Sequence, residues 1–188
     1  MIVIGVTAYY HDSSACLFIN NKLVFACEEE KFSGIKHDSS FPYKTIDYIF
    51  KNYKLSKSDI DYVCYYEEPI LKLKRKKSFL KSIINIIKIS NELKKVSENI
   101  YYTPHHMSHM NYSYLSSKFK NSLIVSVDGV GEISSVSIGK GENGNVTQLK
   151  TIEYPNSLGL FYSAMTAFLG FKPNEGEYKV MGLASYGD

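Results

Sequence analysis

The amino-acid sequence contains no tryptophan, only three cysteines and no long apolar run. The cysteines, Cys16, Cys27 and Cys64, are isolated in apolar, strand-like stretches, which is typical of buried thiols in a reducing compartment and not of metal ligands. No apolar run approaches the roughly 18 residues of a membrane-spanning helix. The first ten residues lack the basic region and cleavage site of a signal peptide. We therefore expect a cytoplasmic protein that does not enter a membrane.

The chain also lacks a large excess of either positive or negative charge. The chain has 22 Lys and Arg against 19 Asp and Glu, a net charge of +3, which is too small to predict binding to nucleic acid or to an anionic membrane. The basic run KLKRKK at residues 72–77 has no interleaved aromatic residues, so we interpret it as the solvated end of an amphipathic helix. We expect neither nucleic acid nor membrane as a partner.

The first half of the chain opens with strand patterns. Residues 2–7, about 14–19 and 23–28 are predicted to form an antiparallel meander, with Asn20 and Asn21 in a two-residue hairpin turn. A helix with a proline in its first turn follows in FPYKTIDYIFKNY, and then a strand in DYVCYYEEP. The segment from Leu71 onward is predicted to be one amphipathic helix. Its predicted apolar stripe comprises Leu80, Ile83, Ile84 and Ile87.

The second half predicts three more strands and a helix. The strands lie in SLIVSVDGVGEISSVSIGKGENGNVTQLKTIEY, and the helix lies in SLGLFYSAMTAFLGF. The predicted apolar stripe of this helix comprises Leu158, Phe161, Met165, Phe168 and Leu169. No element is recognised in the last segment, GEYKVMGLASYGD.

An internal repeat indicates the overall architecture. Residues 4–18 align without a gap on residues 125–139, so that Thr7 falls on Asp128 and His11 on Glu132. Chance similarity between β-rich segments is one interpretation. The other is a pair of lobes that each open with a strand–turn–strand unit, as in actin-like, sugar-kinase-like ATPases, whose facing turns hold phosphate through backbone N–H groups.

We therefore predict an α/β protein with the actin-like, ribonuclease-H-like ATPase fold and mixed sheets. Residues 1–120 are the predicted first lobe, and residues 121–188 are the predicted start of an incomplete second lobe.

Three of the five histidines lie in TPHHMSHMN. If Pro104 opens a helix, His105 and His109 stand at positions i and i+4 and share one face, while His106 points elsewhere. Two imidazoles placed in this way can ligate one cation. The alternative is a surface or half-buried pair that makes ordinary hydrogen bonds.

A carboxylate offers a third ligand. Asp128 ends the apolar strand LIVSVD, where a charged group is costly unless it is paired or coordinated. The glycines that follow, Gly129 and Gly131, permit close approach of the backbone to a ligand. Two histidines and one carboxylate leave coordination positions open, which suits Fe(II), Mn(II) or Zn(II). Phosphate oxygens could occupy those positions.

Two further motifs carry candidate functional residues. In YYHDSSA, His11 is a candidate general base or donor to developing negative charge, whereas Asp12 and Ser13 could equally cap the turn. In EEEKFSGIKHDSSFP, Lys36 could bind an anionic group, and the alternative is a charged, solvated loop.

Taken together and in order, six motifs resemble the N-terminal part of the NodU/CmcH-type carbamoyltransferases. They are YHDSSA, EEEKFSGIKHDSSFP, HHMSH, VDGVGE, SLGLFYSA and GEYKVMGLASYG. The resemblance covers essentially all of the chain and is weakest over residues 70–99. It implies an actin-like domain similar to the universal tRNA threonylcarbamoyl-transferring proteins. It also implies a C-terminal domain, absent from these 188 residues, that makes carbamoyl adenylate from carbamoyl phosphate and ATP.

The resemblance also implies roles for individual residues. His105, His109 and Asp128 match the iron ligands of the family, which touch the nucleotide phosphate. His11 matches the residue implicated in transfer, and Lys36 matches a contact to the carbamoyl group or phosphate. Tyr9 matches a position that lines the acceptor pocket. Gly129 and Val130 match positions that lie against the nucleotide. Asp12 is counted with the substrate-binding positions, and Lys179 in GEYK is a weaker candidate for the same cleft.

The chain departs from the family at two positions near Lys36. Lys31 stands where an arginine is common and Gly34 where a basic residue is common, and the two changes weaken the anion binding expected near Lys36.

The resulting functional prediction is an Fe(II)- and ATP-dependent O-carbamoyltransferase. It would act on a small-molecule hydroxyl acceptor, usually on a sugar, and this chain alone is expected to be inactive. Two alternatives stay open, an inactive metal- and nucleotide-binding fragment and a sugar-kinase-like phosphotransferase. A homodimer is a further open option.

Overall fold

The computed structural model describes residues 1–10, 12–73 and 79–187. The chain forms two compact units, Met1–Pro104 and His105–Asp188. The sequence places the boundary between lobes later, after residue 120. The units separate earlier because the histidine-bearing helix packs against the second sheet, and the assignment of lobes itself stays a prediction. His11 and residues 74–77 of the basic run lie outside the described residues.

The first unit is built on a mixed five-stranded sheet of order β3-β2-β1-β4-β5. The strands are β1 (Ile2–Thr7), β2 (Ser14–Ile19), β3 (Lys22–Glu28), β4 (Tyr62–Tyr65) and β5 (Ile100–Tyr102). β1 pairs antiparallel with β2 and parallel with β4. The predicted hairpin turn is confirmed, since Asn20 and Asn21 both have positive φ, 50° and 63°.

In the described part of this unit, four α-helices accompany the sheet, and the core lies between them and the strands. The helices are α1 (Glu30–Ser33), α2 (Tyr43–Asn52), α3 (Pro69–Leu73) and α4 (Phe79–Lys94). Fully buried core side chains come from β1, β2, α2, β4 and α4: Ile4, Leu17, Ile49, Val63 and Leu93. The inward residues of β1 and β2 therefore meet the apolar faces of the helices.

The predicted apolar stripe of α4 is wrong. Leu80, Ile84 and Ile87 are exposed, whereas Ile89 and Leu93 are buried in the core. The helix carries isoleucine or leucine on more than one face, so helical spacing alone does not show which face is covered. Packing against the sheet selects the line that ends at Leu93.

The second unit contains a three-stranded antiparallel sheet of order β6-β7-β8. Its elements are α5 (His105–Ser116), β6 (Asn121–Val127), β7 (Ser134–Glu142), β8 (Asn145–Glu153), α6 (Leu158–Phe168) and α7 (Glu177–Ala184). The predicted strands and the helix α6 are confirmed. The predicted apolar stripe of α6 is not covered by the described residues, since its members are all exposed: Leu158, Phe161, Met165, Phe168 and Leu169. The helix α7 is not predicted by the sequence pattern.

The two halves of the internal repeat have the same local structure. Both are antiparallel strand pairs, with Thr7 opposite Ser14 and Val127 opposite Val136. Within the described ranges, no helix is both long and apolar enough to cross a bilayer.

Candidate metal centre

The helix α5 brings two histidines onto one face. It begins at His105, directly after Pro104, and the ring centroids of His105 and His109 lie 4.6 Å apart. Their Nε2 atoms are 3.1 Å apart. His106 is buried and points away from this face, with Nδ1 2.7 Å from the hydroxyl oxygen of Ser137. The structure therefore confirms the predicted helix and the separate orientation of His106.

The sheet supplies the third group. Asp128 directly follows β6, and its backbone N–H donates to the carbonyl of Ser135 at 2.9 Å. Its Oδ2 atom lies 2.6 Å from Nε2 of His105 and 3.8 Å from Nε2 of His109. Its Oδ1 atom accepts a hydrogen bond from the N–H of Gly129 at 2.6 Å. The two imidazoles and the carboxylate thus converge on one point.

The spacing of the three donor atoms fits a shared transition-metal ion. Ligand atoms about 2.1 Å from a tetrahedral or octahedral metal stand roughly 3.0–3.4 Å from one another. The observed separations of 2.6, 3.1 and 3.8 Å bracket that range. The shortest is a hydrogen bond between His105 and Asp128, whose proton a metal would replace.

The protonation of two of these groups also suits metal binding. The hydrogen bond from His105 is the largest influence on Asp128 and holds the pKa of its carboxyl at about 2, below the usual value, although partial burial opposes this shift. Burial, followed by the nearby His105, lowers the pKa of His109. An ionised carboxylate and a neutral imidazole are the forms that coordinate divalent metals.

A buried carboxylate holds the first turn of α5 in place. Both oxygens of Glu132 accept the backbone N–H of His105, at 2.9 and 3.1 Å. Negative charge is favourable at a helix N-terminus, so Glu132 fixes α5 to the turn that follows Asp128. The sequence assigns no role to Glu132, because the helix that it caps begins 27 residues earlier in the chain.

Small residues allow the elements around Asp128 to approach closely. A Cβ atom on Gly131 would lie 3.0 Å from Cδ2 of His105, and one on Gly159 would lie 2.6 Å from the carbonyl oxygen of Asp128. Ser157, the N-cap of α6, donates its hydroxyl to the carbonyl of Gly129 at 2.6 Å. The sequence predicts no role for Ser157 or Gly159, whose only signal is the start of the predicted helix.

The other residues predicted in the second unit are placed as follows. Gly129 and Val130 follow Asp128 directly, and the N–H of Gly129 is already bonded to the Asp128 carboxylate. Lys179 lies on α7, with its ammonium group 5.7 Å from the ring of Phe171 and 5.9 Å from that of Tyr178. The contacts of Gly129, Val130 and Lys179 with a nucleotide stay predictions.

Among the residues predicted in the first unit, Tyr9 and Asp12 are held by hydrogen bonds to the segment that follows α1. The N–H of Tyr9 donates to the carbonyl of Ser39 at 2.8 Å. Tyr9 and Asp12 both adopt positive φ, 68° and 45°, which is unfavourable for residues other than glycine and recurs at functional sites. Asp12 also lies 2.8 Å from Nδ1 of His37. Lys36 is exposed in the following loop.

Asp12, His37 and Glu30 form a second group of three potential ligands. The Glu30 carboxylate already accepts hydrogen bonds from Lys31 at 2.6 Å and from the N–H of His37 at 3.0 Å. These contacts give the group an ordinary role in holding the loop.

Comparison with solved structures defines the class of fold. The crystal structure of (R)-2-hydroxyglutaryl-CoA dehydratase component A from Acidaminococcus fermentans aligns with all of this chain and 70% of its own, at a TM-score of 0.51 and 14% identity. This likeness concerns the fold alone. With the mixed sheet, it supports the predicted α/β, actin-like ATPase fold.

Sequence comparison then defines the family. The family model described as carbamoyltransferase N-terminus matches residues 2–80 and 70–188. An uncharacterized protein, sll1178, from Synechocystis sp. is 33% identical over 213 residues, which cover 99% of this chain and 35% of that protein. The nodulation protein NolNO of Sinorhizobium fredii is 29% identical over 201 residues, with 96% and 28% covered. The chain belongs to the carbamoyltransferase N-terminus family, and it spans about a third of the length of these curated relatives.

Proposed function

We propose that this chain is the metal- and nucleotide-binding portion of an O-carbamoyltransferase. The complete enzyme would make carbamoyl adenylate from carbamoyl phosphate and ATP. It would then move the carbamoyl group to a hydroxyl of a sugar or secondary metabolite. Family membership supports the reaction class. The observation that carries the metal-dependent part is the convergence of His105, His109 and Asp128.

The donor set favours an open metal site. His105, His109 and Asp128 offer three protein ligands, and three ligands leave positions for other groups, as in catalytic rather than structural sites. We propose Fe(II) as the resident ion, by resemblance to the family. When bound, it would supply Lewis-acid polarisation and orientation of phosphate oxygens. Glu132 and Gly131 would hold the ligands in register, because one caps α5 and the other lets it approach.

The transfer step requires a proton acceptor. A bond forms between the acceptor oxygen and the carbamoyl carbon, the bond from that carbon to the phosphate oxygen breaks, and AMP leaves. The proton of the acceptor hydroxyl must pass to a base. His11 is proposed for this role from its motif. Tyr9 and Asp12, whose strained turn brackets His11 in sequence, are proposed to position the acceptor.

One alternative is binding without turnover by this chain itself. The observation that favours it is the span of about a third of the matched relatives. In that case the chain would bind metal and nucleotide. A carbamoyl product would form only when a protein that corresponds to the rest of the matched relatives is added.

Metal content tests the centre directly. The chain would be loaded anaerobically with Fe(II), Mn(II) or Zn(II), and the bound ion would be measured by mass spectrometry after gel filtration. We expect His105→Ala and His109→Ala each to lower metal affinity at least about a hundredfold, since loss of supporting groups alone costs 10–100-fold. Tyr112→Ala, at an exposed position of the same helix, is the matched control and should retain the ion. Equal metal content in all four proteins would end the proposal of a metal centre.

Carbamoyl transfer tests the reaction. The complete enzyme would be incubated with carbamoyl phosphate, ATP and a panel of hydroxyl acceptors, and products would be identified by mass. Loss of the carbamoylated product in His11→Ala and His105→Ala is expected. Unchanged turnover in both variants would refute the mechanism, and phosphorylated acceptor instead of carbamoylated acceptor would favour a sugar-kinase-like reaction.

A further inference from the structure

The second unit contains one buried polar atom that lacks a partner. Within the described ranges, Nε2 of His106 is the one buried side-chain nitrogen or oxygen that makes no hydrogen bond. Only 3% of the residue is exposed, so bulk solvent does not reach the ring. A buried polar atom without a partner lowers the stability of the folded state, and an apolar side chain would avoid this loss. Stability alone therefore does not account for the imidazole.

The other ring nitrogen joins α5 to the sheet. Nδ1 of His106 lies 2.7 Å from the hydroxyl oxygen of Ser137, a fully buried residue of β7. Ser137 pairs in register with Ser126 of β6, which is also buried on the same face. The sheet therefore presents hydroxyl groups where the first turn of α5 lies on it, and the contact there is a directional hydrogen bond.

The buried side of α5 follows β7 over three successive contacts. Residues of the helix spaced by four positions, about 6 Å apart, lie on residues of the strand spaced by two, about 6.7 Å apart. The pairs are His106 with Ser137, Met110 with Gly139 and Tyr114 with Gly141. In the second and third pairs, glycine lets an apolar side chain approach the strand closely. The first pair, next to the candidate metal ligand His105, is held by the hydrogen bond.

This hydrogen bond restrains the rotation of α5 about its own axis. Successive residues of an α-helix point about 100° apart, so the direction of His106 sets the directions of His105 and His109. A rotation of about 10° would move a ring nitrogen that lies about 6 Å from the helix axis by about 1 Å. Distances from a metal to its ligands vary by only about 0.2 Å. The rotation of α5 therefore decides whether both rings can share an ion with Asp128.

The turn after Asp128 supports the same arrangement. A Cβ atom on Gly131 would lie 3.0 Å from Cδ2 of His105 and 3.2 Å from Cδ2 of His106, so both rings lie against this backbone. Glu132 accepts the backbone N–H of His105. These contacts hold the first turn in place, and the side-chain bond from His106 to the sheet sets the direction in which its side chains point.

We propose that His106 is a positioning residue of the metal centre. Its hydrogen bond to Ser137 holds α5 at the rotation that directs His105 and His109 toward Asp128, and the unpaired Nε2 is the cost of this orientation. His106 is not among the three converging donors, so it acts through the ligands and not on the ion. The inference rests on the metal-dependent part of the proposed function.

Titration of the 188-residue chain with Co(II) tests this role, because the visible absorption spectrum of Co(II) depends on the number and geometry of its ligands. The double variant His106→Leu/Ser137→Ala removes both hydrogen-bonding partners. We expect it to bind Co(II) about 10–100-fold more weakly than the wild type, the range for groups that orient a ligand, and with a changed spectrum. Ser137→Ala alone should change affinity and spectrum in the same direction. His106→Asn, which keeps a polar atom near the position of Nδ1, should stay within about threefold of the wild type.

Unfolding of the metal-free proteins in urea distinguishes positioning from packing, and the methyl resonance of Met110, buried in the same helix, reports it. Replacement of both partners by apolar groups leaves no polar atom of this pair unpaired. The midpoint of the double variant should therefore equal or exceed that of the wild type while its Co(II) affinity falls. A lower midpoint would give His106 a structural role and overturn the proposal. Wild-type affinity and spectrum in the double variant would do the same, as would an equal loss of affinity in His106→Asn.

Ser116→Ala is the matched control. The Ser116 hydroxyl donates to the carbonyl of Tyr112 within α5, at 2.6 Å, and the variant should keep both affinity and spectrum. His105→Ala separates this inference from the proposed function. Wild-type Co(II) binding by His105→Ala would overturn the metal centre and this inference with it. Loss of the ion in His105→Ala, together with unaltered binding by the double variant, would refute the role of His106 and leave the metal centre standing.

Discussion

The two sheets of the molecule differ in how they are stabilised. In the first unit, fourteen apolar side chains of the described residues form one buried cluster. The corresponding cluster of the second unit, counted over the same part of the chain, has three members: Met110, Tyr114 and Ile124. The candidate metal ligands belong to the second unit, where α5 is held to the sheet by few apolar contacts.

The strand β6 shows the difference most clearly. Ile124 on one face is buried, whereas Leu123, Val125 and Val127 on the other face are all more than half exposed. A strand that is apolar on both faces is typical of a sheet covered on both sides. Among the described residues, only the face toward α5 is covered. The polar contacts of Glu132 and Asp128 therefore supply part of the restraint that apolar packing supplies in the first unit.

The largest expected effect compares one leucine from each sheet. Leu17 is fully buried in the first unit, and Leu123 is 71% exposed in the second. Leu17→Ala should lower the free energy of unfolding of its unit by about 2–5 kcal/mol, because it leaves a cavity. Leu123→Ala should change stability by no more than about 0.5 kcal/mol.

Unit-specific reporters measure this pair. All three cysteines lie in the first unit, so thiol labelling in denaturant reports its unfolding. The methyl resonance of Met110, fully buried in the second unit, reports the other. An equal loss of unfolding free energy in both variants would show that the exposed face of β6 is covered in solution. The two sheets would then not differ in how they are stabilised.

The next effect concerns the contact between α5 and its sheet. A Cβ atom on Gly141 of β7 would overlap the ring of Tyr114, a buried residue of α5. Gly141→Ala should therefore destabilise the second unit by about 1–3 kcal/mol and weaken metal binding, because α5 must shift with its histidines. Hydrogen exchange of α5 and β7 peptides, together with metal titration, measures both consequences.

Gly182→Ala provides the control for that substitution. Gly182 lies within α7, and a Cβ atom added to it would project into open space, with no atom of the neighbouring described elements within 4 Å. Alanine there should stabilise the helix by about 0.5–1 kcal/mol, since glycine is a poor helix former. If both glycine substitutions shift the unfolding midpoint in the same direction, Gly141 is not a close-packing position.

Local signals account for the parts of the fold that the sequence predicts. Asn20 and Asn21 identify a hairpin because the residues that tolerate positive φ are adjacent in the chain. The α4 stripe fails because its apolar residues occupy several faces, and only the sheet decides which face is buried. The helix α7 is missed because its segment contains glycine on both sides of a short apolar stretch and has no clear stripe.

The candidate site also combines features that local sequence predicts with features that depend on packing between distant elements. His105 and His109 are placed together by helical spacing alone, which the sequence shows directly. Their approach to Asp128 depends on packing between α5 and β6, and the sequence indicates it through the cost of a charged strand end and through the family resemblance. Glu132 could not be predicted, because its role is to cap a helix distant in sequence. Metal binding itself stays a prediction.

The smallest expected effect is a response to alkaline pH that separates the two units. Burial raises the pKa of the Cys16 thiol and of the Cys64 thiol, both in the first unit. Because the folded-state pKa lies above the unfolded value of about 8.5, the folded unit favours the neutral thiol. This contribution is fully present below the unfolded pKa and is lost as pH rises through the folded pKa.

The first unit should therefore lose stability between pH 8 and pH 10 while the second unit changes less, and methyl NMR of Ile49 and Met110 in urea would measure both midpoints. Cys16→Ala should flatten the pH dependence of the Ile49 midpoint, whereas Val24→Ala, at an exposed position of the neighbouring strand with no ionisable group, should not. A slope that is the same in both variants would show that the thiol of Cys16 contributes nothing. The alkaline sensitivity of the first unit would then come from Cys64 or from the partly buried Tyr9 and Tyr102, because burial raises the pKa of each of these groups as well.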